Sequence, residues 1–371
     1  MVGNPDTIAA AGETIYRQQQ FEFETADIIA GNGQEFRHPF AQCASPVVPA
    51  FNCANSRFET AVAPFPDEDI ASDCHYELRI PNPTRQITAV WVIFDRGRDV
   101  HDLYSDAAVL AFARRFRIAL LLHGHCPGKR AEDHNDMNMD PSKGLGRALF
   151  AALGQFASTT GHPELAASRL IFLGFSGAGP LCARLVDSVP DRVLAAILSS
   201  PGHYEPLGID TVELNTQSIM IPELIIAGSA DNVSGTARPY LYFRKYRDRG
   251  APWAFIVQNR SPHCCTANAK DLILDWLEAM LNIRQPLKNN APRKIDQNEG
   301  WLAFFRTQRT ETTDSFGMKT FEVTGATIQN VQLDKGLPQD WKSAGWLPNH
   351  AIAKEWLSFV ERKHHPILPL K

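Results

Sequence analysis

Residues 170–179, LIFLGFSGAG, carry the strongest structural signal in the chain. This stretch opens with four apolar residues, typical of a buried strand, and it closes with small residues that lead into a helical segment. Ser176 stands in the turn, with Gly174 two residues before it and Ala178 two residues after it. A turn that joins a strand directly to a helix forces the serine into strained backbone geometry, and its Oγ then projects above the sheet. The stretch therefore predicts a reactive serine at the end of a strand.

Short apolar runs alternate with longer amphipathic segments on both sides of this stretch. The runs predict strands at residues 87–94, 117–122, 170–174, 193–199, 222–228 and 253–258, and the amphipathic segments predict helices at 103–116, 144–159, 180–189 and 269–281. Strands that are continuously apolar and separated by helices indicate a parallel sheet covered on both faces. The expected fold class is α/β, with a doubly wound, mostly parallel sheet that places ligands beyond the carboxyl ends of its strands.

The composition changes at both ends of this alternating region. We expect three segments: an irregular N-terminal arm rich in Pro, Ala, Ser and Asn (1–75), a central α/β domain (76–285), and a C-terminal extension (286–371). The C-terminal extension follows a linker-like stretch, and it predicts a small antiparallel addition (strands at 301–307 and 320–331) and a final helix (349–360).

The charge and hydropathy of the 371-residue chain exclude several classes of partner. The formal net charge is −4 and no basic stripe stands out, so nucleic acid and anionic membrane surfaces are not expected partners. No apolar run approaches the roughly 18–20 residues of a membrane-spanning helix, and the N-terminus does not read as a signal peptide. Both a cytoplasmic protein and a secreted protein with a replaced leader remain open, as does the oligomeric state.

The cysteines leave the redox compartment open. The chain has seven of them: Cys43, Cys53 and Cys74 in the N-terminal part, and Cys126, Cys182, Cys264 and Cys265 in the central domain. The N-terminal group could form one disulfide, and the odd total leaves at least one thiol unpaired within the chain. Oxidation of the adjacent pair Cys264 and Cys265 could regulate a neighbouring histidine, but two buried reduced thiols are the expected state.

A serine hydroxyl is a poor nucleophile until a base takes its proton, so the chain should supply a histidine. Asp231 follows the predicted strand at 222–228, and His263 lies between the predicted strand at 253–258 and the last helix of the central domain. Taken singly, Asp231 could cap a turn and His263 could merely precede a helix. Three suitable residues at three strand ends, in the order serine, acid, histidine, favour a catalytic triad. His203 fits worse because it precedes the acid.

On these residues the central domain resembles the α/β-hydrolase superfamily, with the landmarks LGFSGAG, IIAGSAD and SPH. Its simple spacing is similar to that of dienelactone-hydrolase and polyhydroxybutyrate-depolymerase-like esterases. The resemblance implies that Ser176 is the nucleophile, His263 the general base and then acid, and Asp231 the group that orients the imidazole. It implies cofactor-free, metal-free hydrolysis of a small-molecule or polyester-type carboxylic ester through an acyl-enzyme. An amidase, peptidase or acyltransferase, or an inactive binding protein on the same scaffold, are the alternatives.

The same mechanism needs donors for an oxyanion. The backbone N–H of Gly177 is expected at the N-terminus of a helix, where donors are unpaired and the dipole favours negative charge. The resemblance implies a second donor after the strand two before the serine strand, which gives the N–H of Asp95 or Arg96, and we choose Arg96. The alternative is the pair His123 and Gly124, which looks like the His-Gly of many hydrolases but is expected to end the neighbouring strand.

Overall fold

A computed structural model describes residues 56–94, 99–129, 140–202, 208–284, 292–331 and 340–364. The strands in these ranges are β1 Ser56–Val62, β2 Cys74–Ile80, β3 Ala89–Phe94, β4 Ile118–His123, β5 Arg169–Phe175, β6 Val193–Ser199, β7 Glu223–Gly228, β8 Ala254–Gln258, β9 Trp301–Thr313, β10 Lys319–Asn330 and β11 Gly345–Leu347. The helices are α1 His101–Ser105, α2 Ala107–Phe116, α3 Leu145–Thr159, α4 Ala178–Ser188, α5 Ala237–Arg247, α6 Lys270–Arg284 and α7 His350–Glu361. In the described part of the chain, no helix combines the length and the apolar character needed to cross a membrane.

The first eight strands form one sheet in the order β1-β2-β4-β3-β5-β6-β7-β8. β2 runs antiparallel to both of its neighbours, and all pairings from β4 to β8 are parallel. Every residue of β3, β4, β6, β7 and β8 is buried, as expected for strands covered by helices on both faces. The predicted fold class, a doubly wound and mostly parallel α/β sheet, is confirmed.

The expectation of irregular structure up to residue 75 is wrong for β1 and for the start of β2, which pair along the whole of β1. The sequence of β1, SRFETAV, is polar because the strand lies at the edge of the sheet. Phe58 and Val62 pack against the core, but two apolar residues give too weak a periodic signal to predict the strand. Helix α5 is also unpredicted, because tyrosine and arginine side chains occupy much of its buried face. Residues 1–55 lie outside the described ranges, and the domain boundaries near 75 and 285 stay predictions.

The C-terminal strands form a second, antiparallel sheet in the order β10-β9-β11, and α7 contacts β8, β9 and β10. The predicted antiparallel addition is confirmed, with β9 six residues longer than predicted and β10 within one residue of its predicted bounds. Trp346, Trp356 and Val360 belong to the same buried core as the central sheet. The side chain of Asn259, directly after β8, binds the backbone N–H and carbonyl of Val323 and the carbonyl of Val360 at 2.9–3.0 Å. The C-terminal segment is therefore bound firmly to the central sheet.

One disulfide joins two segments of the central sheet. Cys74 is bonded to Cys126, with 4.1 Å between their Cα atoms. Cys74 begins β2 and Cys126 follows β4, so the antiparallel pairing of these strands brings the two residues together. Cys74 therefore pairs outside the N-terminal group, and a disulfide within that group stays a prediction for Cys43 and Cys53. Cys43 and Cys53 lie outside the described residues.

The second disulfide joins adjacent residues, Cys264 and Cys265, with 3.7 Å between their Cα atoms. The expectation of two reduced thiols at this position is wrong. Cys265 has a φ of 76°, and this left-handed residue belongs to a tight turn in which the neighbouring sulfurs meet. Cys182 is a free and buried thiol, and burial raises its pKa well above the usual value, so it stays protonated.

One acidic side chain of the central sheet is fully buried. Glu223, the first residue of β7, is fully buried, and its Oε2 accepts a hydrogen bond from the Tyr242 hydroxyl at 3.1 Å. Its Oε1 has no partner within the described ranges. Because the carboxylate loses its hydration, burial raises the pKa of Glu223 from 4.5 to about 8, against the opposing effect of the Tyr242 hydrogen bond. The group is therefore mostly neutral in the folded protein at neutral pH.

We expect Glu223→Gln to remove a pH dependence of stability that the wild type shows between about pH 4.5 and pH 8. In that window the folded protein keeps a proton that the unfolded chain releases. The wild-type free energy of unfolding therefore falls as the pH rises, by up to about 1.4 kcal/mol per pH unit. Glutamine keeps the acceptor for Tyr242 and has no titrating proton. Urea unfolding of both proteins at about pH 5, 6.5 and 8 measures the difference, and parallel pH curves would contradict the raised pKa.

Candidate active site

The turn between β5 and α4 holds Ser176 in a left-handed backbone conformation, with a φ of 54°. Its N–H donates to the carbonyl of Ser199 at the end of β6, at 3.0 Å. Its own carbonyl accepts from the N–H groups of Gly179 at 3.0 Å and Gly202 at 2.7 Å. All of its backbone hydrogen-bonding groups are thus satisfied in a conformation that a serine rarely adopts. This geometry is the strained strand–helix turn that the sequence predicts.

Small residues let the strand and the helix approach each other at this turn. A Cβ added to Gly174 would overlap the carbonyl oxygen of Ala178, and a Cβ added to Gly179 would lie 2.6 Å from the Cβ of Pro201. The methyl group of Ala178 is itself accommodated and fully buried. The position in α4 that must lack a side chain is therefore Gly179, which packs against Pro201. This explains why alanine is tolerated at residue 178.

Asp231 lies in the loop after β7 and is fully buried. Its Oδ1 accepts hydrogen bonds from the backbone N–H groups of Val233 at 2.8 Å and Ser234 at 2.9 Å. Its Oδ2 lies 2.9 Å from Nδ1 of His263. The loop backbone thus fixes one carboxylate oxygen and leaves the other one for the imidazole.

His263 lies in the loop after β8 and bridges the acid and the serine. Its Nε2 is 2.9 Å from the Oγ of Ser176. Because the Asp231 carboxylate can only accept, Nδ1 carries the proton and Nε2 is free to accept from the serine hydroxyl. The imidazole packs against the ring of Phe175, with 4.9 Å between the ring centroids. The structure therefore brings the three residues selected from the sequence into one hydrogen-bonded chain.

The N–H of Gly177 lies at the N-terminal end of α4, and no acceptor for it occurs within the described ranges. Gly202 lies beside it, because an added Cβ there would be 2.9 Å from the Gly177 nitrogen. Gly202 is not among the predicted site residues, although a Pro-Gly pair one residue after a buried strand is a signal for a special turn. Arg96, together with Asp95, lies outside the described residues. Its role as second donor stays a prediction.

The alternative donor, Gly124, is disfavoured by the sheet. Its N–H already donates to the carbonyl of His75 at 2.8 Å. It also follows β4, whereas the strand that pairs directly with β5 is β3. The preceding His123 is buried, and burial, with a smaller effect of His125, lowers its pKa to about 3, so its ring is neutral. Within the described ranges, no group of three or more His, Cys, Asp or Glu side chains is arranged to hold a metal ion.

The sequence matches no protein-family model and no curated protein. Many solved structures match, among them a fluorophosphonate-binding serine hydrolase F of Staphylococcus aureus (11% identity, TM-score 0.40, 62% of this chain and 99% of that chain). A lidless α/β serine hydrolase of Xanthomonas campestris shares 14% identity (TM-score 0.40, 63% and 97%). An esterase of Pyrococcus furiosus shares 13% identity (TM-score 0.43, 62% and 91%).

The strand order, with its antiparallel second strand and its serine turn after the fifth strand, decides the architecture. The fold is of the α/β-hydrolase type. In this α/β-hydrolase fold the loops after β5, β7 and β8 meet at the carboxyl edge of the sheet, where Ser176, Asp231 and His263 lie. Loops at that edge carry ligands in open α/β sheets.

We expect Gly202→Ala to slow the reaction of Ser176 with a fluorophosphonate probe by about 10- to 100-fold, because the new methyl group would crowd the Gly177 N–H, which we predict to be an oxyanion donor. The rate of labelling, followed by intact mass, measures the effect. Gly154→Ala is the matched control: an added Cβ there meets nothing within 4 Å, and the helix α3 that contains it should gain slightly in stability. Equal labelling rates in both variants would contradict a role for Gly202.

Proposed function

We propose that this protein hydrolyses a carboxylic ester through an acyl-enzyme, with Ser176 as the nucleophile, His263 as the general base and Asp231 as the orienting acid. The observation that carries the proposal is the chain of two 2.9 Å hydrogen bonds from Asp231 through His263 to Ser176. An activated serine needs this arrangement of nucleophile, base and orienting group within hydrogen-bond reach. Fold likeness at 10–15% identity adds no information about substrate.

In the proposed first step the Oγ of Ser176 attacks the ester carbonyl carbon while Nε2 of His263 takes the hydroxyl proton. The tetrahedral intermediate carries its negative charge on the former carbonyl oxygen. The Gly177 N–H and the positive end of the α4 dipole favour that charge, and loss of one such donor typically costs about 3–4 kcal/mol. Arg96 is our proposal for the second donor.

The intermediate then collapses, the bond to the alcohol oxygen breaks, and the imidazolium of His263 protonates the leaving alkoxide. Water attacks the remaining acyl-enzyme, and His263 again takes its proton, so the acid is released and the serine is regenerated. Asp231 stays ionised, holds the proton on Nδ1 and stabilises the imidazolium in both steps. These steps need the protein groups, the ester and water, and we propose a small-molecule or polyester-type ester as the substrate.

The same residues could serve an amidase, a peptidase or an acyltransferase, since all of them use a serine–histidine–acid triad. We propose an ester because an alkoxide leaves more readily than an amide nitrogen, so ester hydrolysis makes the smaller demand on the same triad. A catalytically inactive binding protein is the least favoured alternative. Such a protein would need neither the buried Asp231 nor its contact with His263.

We expect Ser176→Ala to lower kcat for a p-nitrophenyl ester by at least about 10⁴-fold, because no nucleophile remains. His263→Ala should abolish labelling of Ser176 by a fluorophosphonate, as seen by peptide mapping. Ser188 is the last residue of α4, the helix that follows Ser176, and its hydroxyl donates to the carbonyl of Leu185. Ser188→Ala should therefore retain wild-type activity. Undiminished hydrolysis by Ser176→Ala would contradict the proposal. Faster turnover of a matched anilide than of the ester would favour an amidase.

A further inference from the structure

Asp99 is a half-buried carboxylate on the segment that follows β3, and it binds the turn that follows His263. Its Oδ1 accepts a hydrogen bond from the N–H of Cys265 at 2.5 Å. Its Oδ2 accepts from the N–H of Thr266 at 3.0 Å and also from the Thr266 hydroxyl. These two residues follow His263 by two and three positions. One side chain thus holds three donors of the histidine turn.

The turn after His263 contains N–H groups that need an acceptor outside the turn. Cys265 is left-handed, and a short 3₁₀ helix, Thr266–Ala269, leads from it into α6. N–H groups at the start of a helical segment have no acceptor within the helix, so an external carboxylate satisfies them well. His263 is therefore held from two directions, by Asp231 at its ring and by Asp99 through the backbone that follows it.

A second link runs from this turn to the serine. Because the Thr266 hydroxyl donates to Asp99, its oxygen accepts from the hydroxyl of Ser199, at 2.6 Å. Ser199 and Thr266 are both fully buried. The carbonyl of Ser199 in turn accepts from the N–H of Ser176 at 3.0 Å. A continuous hydrogen-bond network therefore joins Asp99, the histidine turn and the backbone of the serine.

We propose that Asp99 is a positioning residue that sets the contact between Nε2 of His263 and Oγ of Ser176, an inference that rests on the proposed function. It touches neither reacting atom, and it acts through Thr266 and Ser199 on the main chains that carry both. A displacement of about 1 Å between reacting groups can cost about 100-fold in rate. Since the bonds of Asp99 go to the backbone and hydroxyl of the histidine turn, we expect its removal to lower kcat and to leave KM unchanged.

The chain offers a matched control in Asp106. Its Oδ1 accepts from the N–H groups of Ala108 and Val109 at the start of α2, and its Oδ2 binds Lys270, the first residue of α6, at 2.7 Å. Asp106 thus caps α2 and ties it to the first residue of α6, whereas Asp99 binds the turn that precedes α6, and none of these Asp106 bonds goes to the histidine turn. Loss of Asp106 should lower Tm and leave kcat at the wild-type value.

The experiment compares Asp99→Ala, Thr266→Val, Thr266→Ser and Asp106→Ala in the full chain. It measures Tm, kcat and KM with a p-nitrophenyl ester, and the rate of fluorophosphonate labelling of Ser176. We expect Asp99→Ala and Thr266→Val to lose about 10- to 100-fold in both kcat and labelling rate at constant KM. Thr266→Ser keeps the hydroxyl that links Ser199 to Asp99, so we expect its kcat and labelling rate to stay near the wild-type values.

Two results would overturn the inference. The first is an Asp99→Ala protein that loses Tm but keeps kcat and the labelling rate, as expected for Asp106→Ala. The second is a rise in KM at constant kcat. If Asp99→Ala does not fold, the Thr266→Val and Thr266→Ser pair decides, and equal rates in that pair would overturn it. Failure of the proposed function is separate, because it requires hydrolysis by Ser176→Ala or a wild type in which Ser176 is not labelled.

Discussion

The backbone conformation at Ser176 is the constraint on which the rest of the site depends. A serine at a φ of 54° is strained, and such strain persists only where the surrounding structure over-determines it. Three backbone hydrogen bonds to Ser199, Gly179 and Gly202 do so here. The missing side chain at Gly174 lets α4 follow β5 without a connecting loop. Strand, turn and helix therefore form one rigid unit that presents the hydroxyl at the carboxyl edge of the sheet.

The C-terminal sheet supports this edge from outside the first eight strands. The hydroxyl of Thr320 donates to the carbonyl of Ser229, and the hydroxyl of Ser315 donates to the carbonyl of Val233, both at 2.7 Å. These carbonyls flank Asp231 in the loop after β7. A buried carboxylate is stable as an anion only when hydrogen bonds replace its lost hydration, and the bonds that Asp231 makes require a rigid loop. The C-terminal strands thus help to hold the acid.

The central strands and most helices could be predicted because each is buried as a unit. Strands β3 to β8 contain continuous apolar runs, and their helices carry apolar stripes. The local sequence therefore predicts which residues are buried. The positions of Ser176, Asp231 and His263 followed from the same pattern, because parallel strands end at one edge. The apolar pattern did not predict β1 or α5. Strand β1 pairs at the edge of the sheet, and buried tyrosine and arginine side chains occupy much of the inner face of α5.

By itself the sequence determined the α/β class, the strand–helix turn at Ser176 and the residues that end the neighbouring strands. The pairing of Cys74 with Cys126, the position of Gly202 beside the Gly177 N–H, and the bonds of Asp99 to the turn after His263 became known from the tertiary structure alone. The physical reason is that periodicity records how each segment is buried. Contacts between segments depend on strand order and loop path, which are set by the packing of the whole chain.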